Sequence, residues 1–138
     1  MKKLLIVIES MKRGGAQKNV YNLIQGINSK NYKINLVTFN KEEENILSLG
    51  KYVDSYFIQM PGVSRNIFQA IYYNIKRIII LRRFYSKTNP DIILSFIFTT
   101  NILVILSSLF INKRVIVCER NDPKNQKLFF IWSFLRKI

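Results

Sequence analysis

Short apolar runs and longer amphipathic stretches alternate along this chain. Candidate strands lie at residues 4–8, 33–38, 54–58, 91–95 and 114–118, and several are apolar at nearly every position. A strand with one wet face alternates apolar and polar side chains, whereas a continuously apolar strand is expected where helices cover both faces of a parallel sheet. Between the runs, the spacing predicts helices over 16–28, 42–49, 66–86, 99–110 and 126–137. Asn89-Pro90-Asp91 marks a turn directly before a strand-like Ile92-Ile93-Leu94.

Strand–helix–strand alternation implies crossover connections and a parallel sheet. The expected fold class is therefore α/β: a Rossmann-like, doubly wound domain over residues 1–138, about five strands in the order 3-2-1-4-5. Twenty uncharged residues at 92–111 compete with this picture, since they have the length of a membrane span. Thr99-Thr100-Asn101 sits in the middle of them, costly in lipid but suited to capping a helix. The run then divides into a buried strand and a buried helix, and the span is kept as the rival reading. At the N-terminus, Lys2-Lys3 followed by five apolar residues resembles a leader. Glu9 ends that run with no small-residue cleavage site, and a first strand is the better reading.

Composition changes the picture in three ways. The 138 residues suffice for one domain with a real core. Twenty-two Lys and Arg against eight acids give a net charge of +14, which seeks anionic partners such as phosphorylated substrates, acidic lipid or nucleic acid. Cys118 is the single cysteine and there is no histidine. That excludes an internal disulfide, fits a reducing cytoplasm, and removes the commonest general base and metal ligand; no metal site and no cofactor is expected.

Two segments carry candidate chemistry. In Glu9-Ser10-Met11-Lys12-Arg13-Gly14-Gly15-Ala16-Gln17-Lys18, paired glycines fall between the first strand and the first helix. There the backbone can approach a ligand, and the helix turns its N–H groups and positive dipole end toward it. The ligand crevice of an open α/β sheet lies at the carboxyl ends of the strands, so the loop is well placed. It is neither the dinucleotide fingerprint nor a Walker loop, and the residues alone leave it open between a phosphate site and an ordinary turn. The second segment, Cys118-Glu119-Arg120-Asn121-Asp122-Pro123, puts four polar residues after the last strand. Arg120 could hold a phosphate and Glu119 or Asp122 a sugar hydroxyl; a solvated loop opening a helix at Asp122-Pro123 is the alternative.

Taken in order, Gly14-Gly15-Ala16-Gln17-Lys18, Ile34-Asn35-Leu36-Val37-Thr38, Pro90-Asp91-Ile92-Ile93-Leu94-Ser95-Phe96, Thr99-Thr100-Asn101 and Val117-Cys118-Glu119-Arg120-Asn121-Asp122-Pro123 resemble the N-terminal domain of family 4 retaining glycosyltransferases, over about residues 3–123. The resemblance implies one half of a two-domain GT-B enzyme. This half would receive a lipid-linked or saccharide acceptor, with most of the nucleotide-sugar donor held by a C-terminal domain absent from these 138 residues. A chain so truncated would be inactive alone. It implies further that Gly14, Gly15 and Lys18 approach the donor diphosphate, that Glu119 and Arg120 border the reacting sugar, and that Thr100 and Asn101 line the acceptor side. Cationic groups and helix N-termini would stabilise the leaving diphosphate without a metal. Relatives often carry Glu-Arg where this chain has Gln17-Lys18, and many carry histidine at Arg120. A guanidinium stays protonated, so Arg120 is no general base.

Between residues 65 and 87 the chain carries Arg65, Lys76, Arg77, Arg82, Arg83 and Lys87 and no acid. The plain expectation is a core-facing helix with a solvated basic face. Such a face could also lie against an anionic membrane at the inner leaflet, which would suit a lipid-linked acceptor. The alternative from another functional class is a basic module without catalytic activity that binds nucleic acid or membrane. The chain shows no recognition helix, RNA-binding aromatic motif or zinc spacing, and nucleic acid is the weaker candidate.

Overall fold

The structure, a computed structural model, describes residues 1–12, 14–27, 31–40, 49, 52–59 and 66–119. Among the described residues five parallel strands and three helices follow in the order β1 (Lys2–Ile8), α1 (Gly15–Gly26), β2 (Tyr32–Thr38), β3 (Val53–Phe57), α2 (Ile67–Thr88), β4 (Ile92–Phe96), α3 (Phe98–Ser108) and β5 (Arg114–Cys118). The sheet runs β3-β2-β1-β4-β5, the order the sequence pattern predicts. Every predicted strand is found within two residues of its expected bounds. The predicted helices over 42–49 and 126–137 fall, but for Leu49, outside the described residues.

The period-two geometry of a strand explains why β1 is apolar throughout. Leu4, Ile6 and Ile8 point to one face and pack with Val20 and Ile24 of α1. Leu5 and Val7 point to the other and pack with Leu81 and Tyr85 of α2 and Leu103 and Val104 of α3. The two hydrophobic clusters lie on opposite sides of one sheet, which is what doubly wound means physically.

Residues 92–111 are β4 followed by α3, not a membrane span. Among the described residues no helix is long and apolar enough to cross a bilayer. The turn at Asn89-Pro90-Asp91 forms as expected. Asn89 takes the left-handed conformation (φ 46°) that ends α2, and its N–H donates to the Tyr85 carbonyl at 2.8 Å. The Asp91 carboxylate then accepts from the Lys3 amide at 2.7 Å, tying the entrance of β4 to that of β1.

Thr99-Thr100-Asn101 does not cap α3. The strand ends at Phe96 and the helix begins at Phe98, leaving Ile97 alone to make the turn. It does so at φ 75° and ψ 133°, with no side-chain cap. Thr99, Thr100 and Asn101 therefore fall in the first helical turn, and Thr100 and Asn101 are buried.

The long helix α2 also departs from expectation. Only Leu81 and Tyr85 are fully buried, while Ile67, Phe68, Ile71, Tyr72, Ile75 and Ile79 are exposed, Phe68 at 80%. The basic residue Arg77 turns partly inward instead, its guanidinium 5.5 Å from the Phe39 ring centre. Residues at 67, 71, 75 and 79 share one side of a helix, so the apolar stripe of the N-terminal half of α2 faces away from the sheet.

Candidate functional site

In a parallel sheet of this kind the carboxyl ends of all five strands share one edge. The segments following β1, β2, β4 and β5 meet there: residues 9–12, Gly14, Gly15, Phe39, Ile97 and Glu119. The paired glycines sit as expected at the start of α1, with Gly14 as the capping residue and Gly15 as the first helical one. Among the described residues no side chain caps this helix, so its first-turn amides and the positive end of its dipole are available to a ligand.

The reason for glycine here is space. Gly14 has φ 178°, extended backbone that any residue adopts. A Cβ on Gly14 would come 2.3 Å from Gln17 Oε1. The Gln17 amide is itself occupied, donating to the Ser10 carbonyl at 3.1 Å across the loop. A Cβ on Gly15 would meet nothing within 4 Å, so Gly15 leaves an open approach to the helix N-terminus. Lys18, one turn into α1, is exposed, and its amide donates to the Gly14 carbonyl at 3.0 Å as the first helical hydrogen bond.

At the other end of the edge, Glu119 is exposed directly beyond β5. Arg120, the residue expected to act with it, lies outside the described residues, as do Asn121, Asp122 and Pro123. Thr100 and Asn101 approach the same edge from inside the protein. Thr100 is 1% exposed and Asn101 5%, and the Asn101 carboxamide is spent on internal bonds to Ser95 and Cys118.

Arg77 has a place in this edge that a plain count of basic residues did not indicate. From α2 it reaches over Phe39, beyond β2, and donates to Asn74 Oδ1 at 3.1 Å. Its Nε is buried with no hydrogen-bond partner among the described residues. Partial burial pulls its pKa down from the usual guanidinium range, and the charge of Glu9, beyond β1, opposes that shift. Spacing alone could not separate Arg77 from Lys76 and Arg83, since the apolar residues that would have identified an inner face point outward.

Among the described residues no cluster of His, Cys, Asp and Glu side chains could hold a metal ion. The edge offers instead a helix N-terminus, cationic side chains and a carboxylate, an arrangement suited to a polyanionic ligand with hydroxyls.

No protein-family model matches the chain. It is 24% identical over its whole length to an α-1,4-N-acetyl-D-galactosaminyltransferase of Campylobacter jejuni, whose name specifies a saccharide carried on diphospho-undecaprenol. Its structure is similar to the crystal structure of Acinetobacter baumannii MurG, with a TM-score of 0.68 and 15% identity over 99% of the chain. The chain spans 37% of the length of the first protein and 39% of the second. The chain thus shares the Rossmann-like α/β fold of part of MurG, and in sequence it is similar to part of a glycosyltransferase acting on a lipid-linked saccharide.

Proposed function

We propose that this chain is the acceptor-side, N-terminal domain of a sugar transferase. The completed enzyme would move a sugar from a nucleotide-diphosphate donor to a lipid-linked or polysaccharide acceptor, with retention at the anomeric carbon. The observation that carries the proposal is the uncapped, glycine-opened N-terminus of α1 at the carboxyl edge of the sheet, in a chain similar end to end to a transferase of lipid-linked saccharide. A donor diphosphate gains one negative charge as the sugar departs, and N–H groups already aimed at it stabilise that charge without reorganising.

In this reading Gly14 and Gly15 let the diphosphate approach the backbone, and Lys18 adds a cation beside it. Glu119, with Arg120, borders the reacting sugar. Thr100 and Asn101 shape the acceptor side from within, since their side chains are buried. The remaining donor contacts belong to a C-terminal domain, and the chain by itself transfers little or nothing.

The surface of α2 supports a second element of the reading: the domain works against the inner face of an anionic membrane. Exposed Phe68, Ile71, Tyr72 and Ile75 are followed along the helix by exposed Lys76 and Arg83. Such a stripe can enter the headgroup region while each nearby cation contributes about 1 kcal/mol. In this reading the acceptor's lipid lies in the membrane against which the α2 face rests.

Gly15→Val tests the core of the proposal. The added side chain enters open space, so folding should survive, with a helix-propensity change of about 0.5 kcal/mol. Transfer by an enzyme carrying this chain should fall by about two orders of magnitude or more, the scale of losing preorganised donors to a developing anion. Unchanged turnover would remove the glycine loop from the mechanism.

A further inference from the structure

The carboxyl end of β5 is held by one buried side chain. Ser95 Oγ, on β4, donates to Asn101 Oδ1 at 2.6 Å, and Asn101 Nδ2 donates to the Cys118 carbonyl at 3.1 Å. Ser95 is fully buried and Asn101 is 5% exposed. The ladder between β4 and β5 ends at the pair Phe96–Cys118, so the carboxamide makes its bond at the last paired residue, just where β5 gives way to Glu119.

The clamp also spans a strained turn. Ile97 is β-branched and sits at φ 75°, a conformation that costs such a residue on the order of 1–2 kcal/mol and persists only where its surroundings fix it. Asn101 fixes it from both sides. Its amide donates to the Ile97 carbonyl at 2.9 Å, while its side chain joins the strands before and after the turn. β5 needs such a fastening because it is an edge strand with Arg114, Ile116 and Val117 exposed, and packing on its own faces is slight.

We infer that Asn101 is a positioning residue for transfer: through Ser95 and the Cys118 carbonyl it sets where the chain leaves β5, and hence where Glu119 stands at the site. This rests on the proposed role of Glu119, and it assigns Asn101 an action through the backbone in place of direct contact with the acceptor. It also gives the Thr-Thr-Asn triplet a purpose that capping does not.

Cys118 supplies an internal reporter, as the single cysteine of the chain and one only partly buried. The rate at which its thiol reacts with a disulfide reagent under native conditions measures opening at this end of β5. Asn101→Asp keeps the acceptor for Ser95 and loses the donor to Cys118; Ser95→Ala loses the other bond. Each should speed labelling roughly tenfold, and the Asp variant is retained if Asn101→Leu fails to fold. Labelling at the native rate in both would overturn the clamp. In a transferase carrying the chain, Asn101→Asp should lower kcat about tenfold with donor KM held, and should have no further effect when Glu119 is already Gln. An equal loss with and without Glu119 would overturn the positioning role. If the parent enzyme transfers no sugar, the proposed function fails and the role of Asn101 in transfer fails with it. The labelling rates then still decide whether the clamp exists.

Discussion

Two strand-to-helix junctions lie side by side at the carboxyl edge of the sheet, and they solve the same geometric problem in opposite ways. Between β1 and α1 the chain uses a longer connection with paired glycines, Gly14 in extended backbone and Gly15 exposed over open space. Between β4 and α3 a single residue, Ile97, turns at φ 75° and the side chains around it are buried. The difference teaches that glycine does not mark strain here. The glycines keep a ligand's approach clear, while the strained turn is made by an isoleucine and stabilised by the hydrogen bonds of Asn101.

If that contrast is real, the two junctions should respond differently to substitution. The largest effect on stability is expected at Asn101→Leu. It strands the Ser95 hydroxyl and the Cys118 carbonyl, a loss of about 3 kcal/mol in denaturant unfolding. A loss under 1 kcal/mol would mean that the strained turn holds itself.

Tyr85→Phe tests the far end of α3, where the same helix is anchored by a second buried bond. The Ser107 hydroxyl donates its proton to the Val104 carbonyl at 3.0 Å, so Tyr85 must be the donor in their 2.9 Å bond. The expected cost is about 1 kcal/mol. Burial pushes the Tyr85 pKa up to about 12, a shift the Ser107 hydroxyl opposes by turning its proton from the Val104 carbonyl to the phenolate. A folded pKa above the unfolded value of about 10 means the contribution is complete below pH 10 and is lost as pH rises toward 12. Unfolding curves from pH 9 to 12 should therefore decline more steeply for the parent than for Tyr85→Phe. Parallel declines would contradict the burial of this hydroxyl.

The smallest effects are expected at the glycine loop. Gly14→Ala should cost about 0.5 kcal/mol, because the Gln17 amide must give up its bond to Ser10. Gly15→Ala should instead stabilise by about 0.5 kcal/mol, since the new methyl is unopposed and the unfolded chain loses freedom. A marked destabilisation by Gly15→Ala would show that this glycine serves the fold, and the contrast between the junctions would collapse.

The fold was legible because its signal is redundant. Leu4 to Ile8 must be apolar on both faces to sit between two helical layers, and that doubles the pattern a central strand displays. The site was legible only in part. The glycine pair announced its position, but nothing in Thr99-Thr100-Asn101 distinguishes a capping triplet from a buried clamp. That depends on one residue of register, set by Ile97 alone. The inner face of α2 was misread for a related reason: a helix with exposed isoleucines gives the same periodicity as one that buries them, and only packing decides. Arg77 was therefore placed with the solvated charges, when it reaches across Phe39 toward the edge of the sheet.

The most direct test of the central claim is a titration of the isotopically labelled chain with a short-chain prenyl-diphosphate saccharide, followed by backbone amide shifts. The account predicts saturable acceptor-induced shifts around Thr100, Asn101 and Glu119, and weaker shifts at Gly14, Gly15 and Lys18 when a nucleotide-sugar is added instead. No saturable shift at those residues, together with salt-sensitive binding to duplex DNA, would contradict the acceptor-side reading and favour a basic nucleic-acid-binding module.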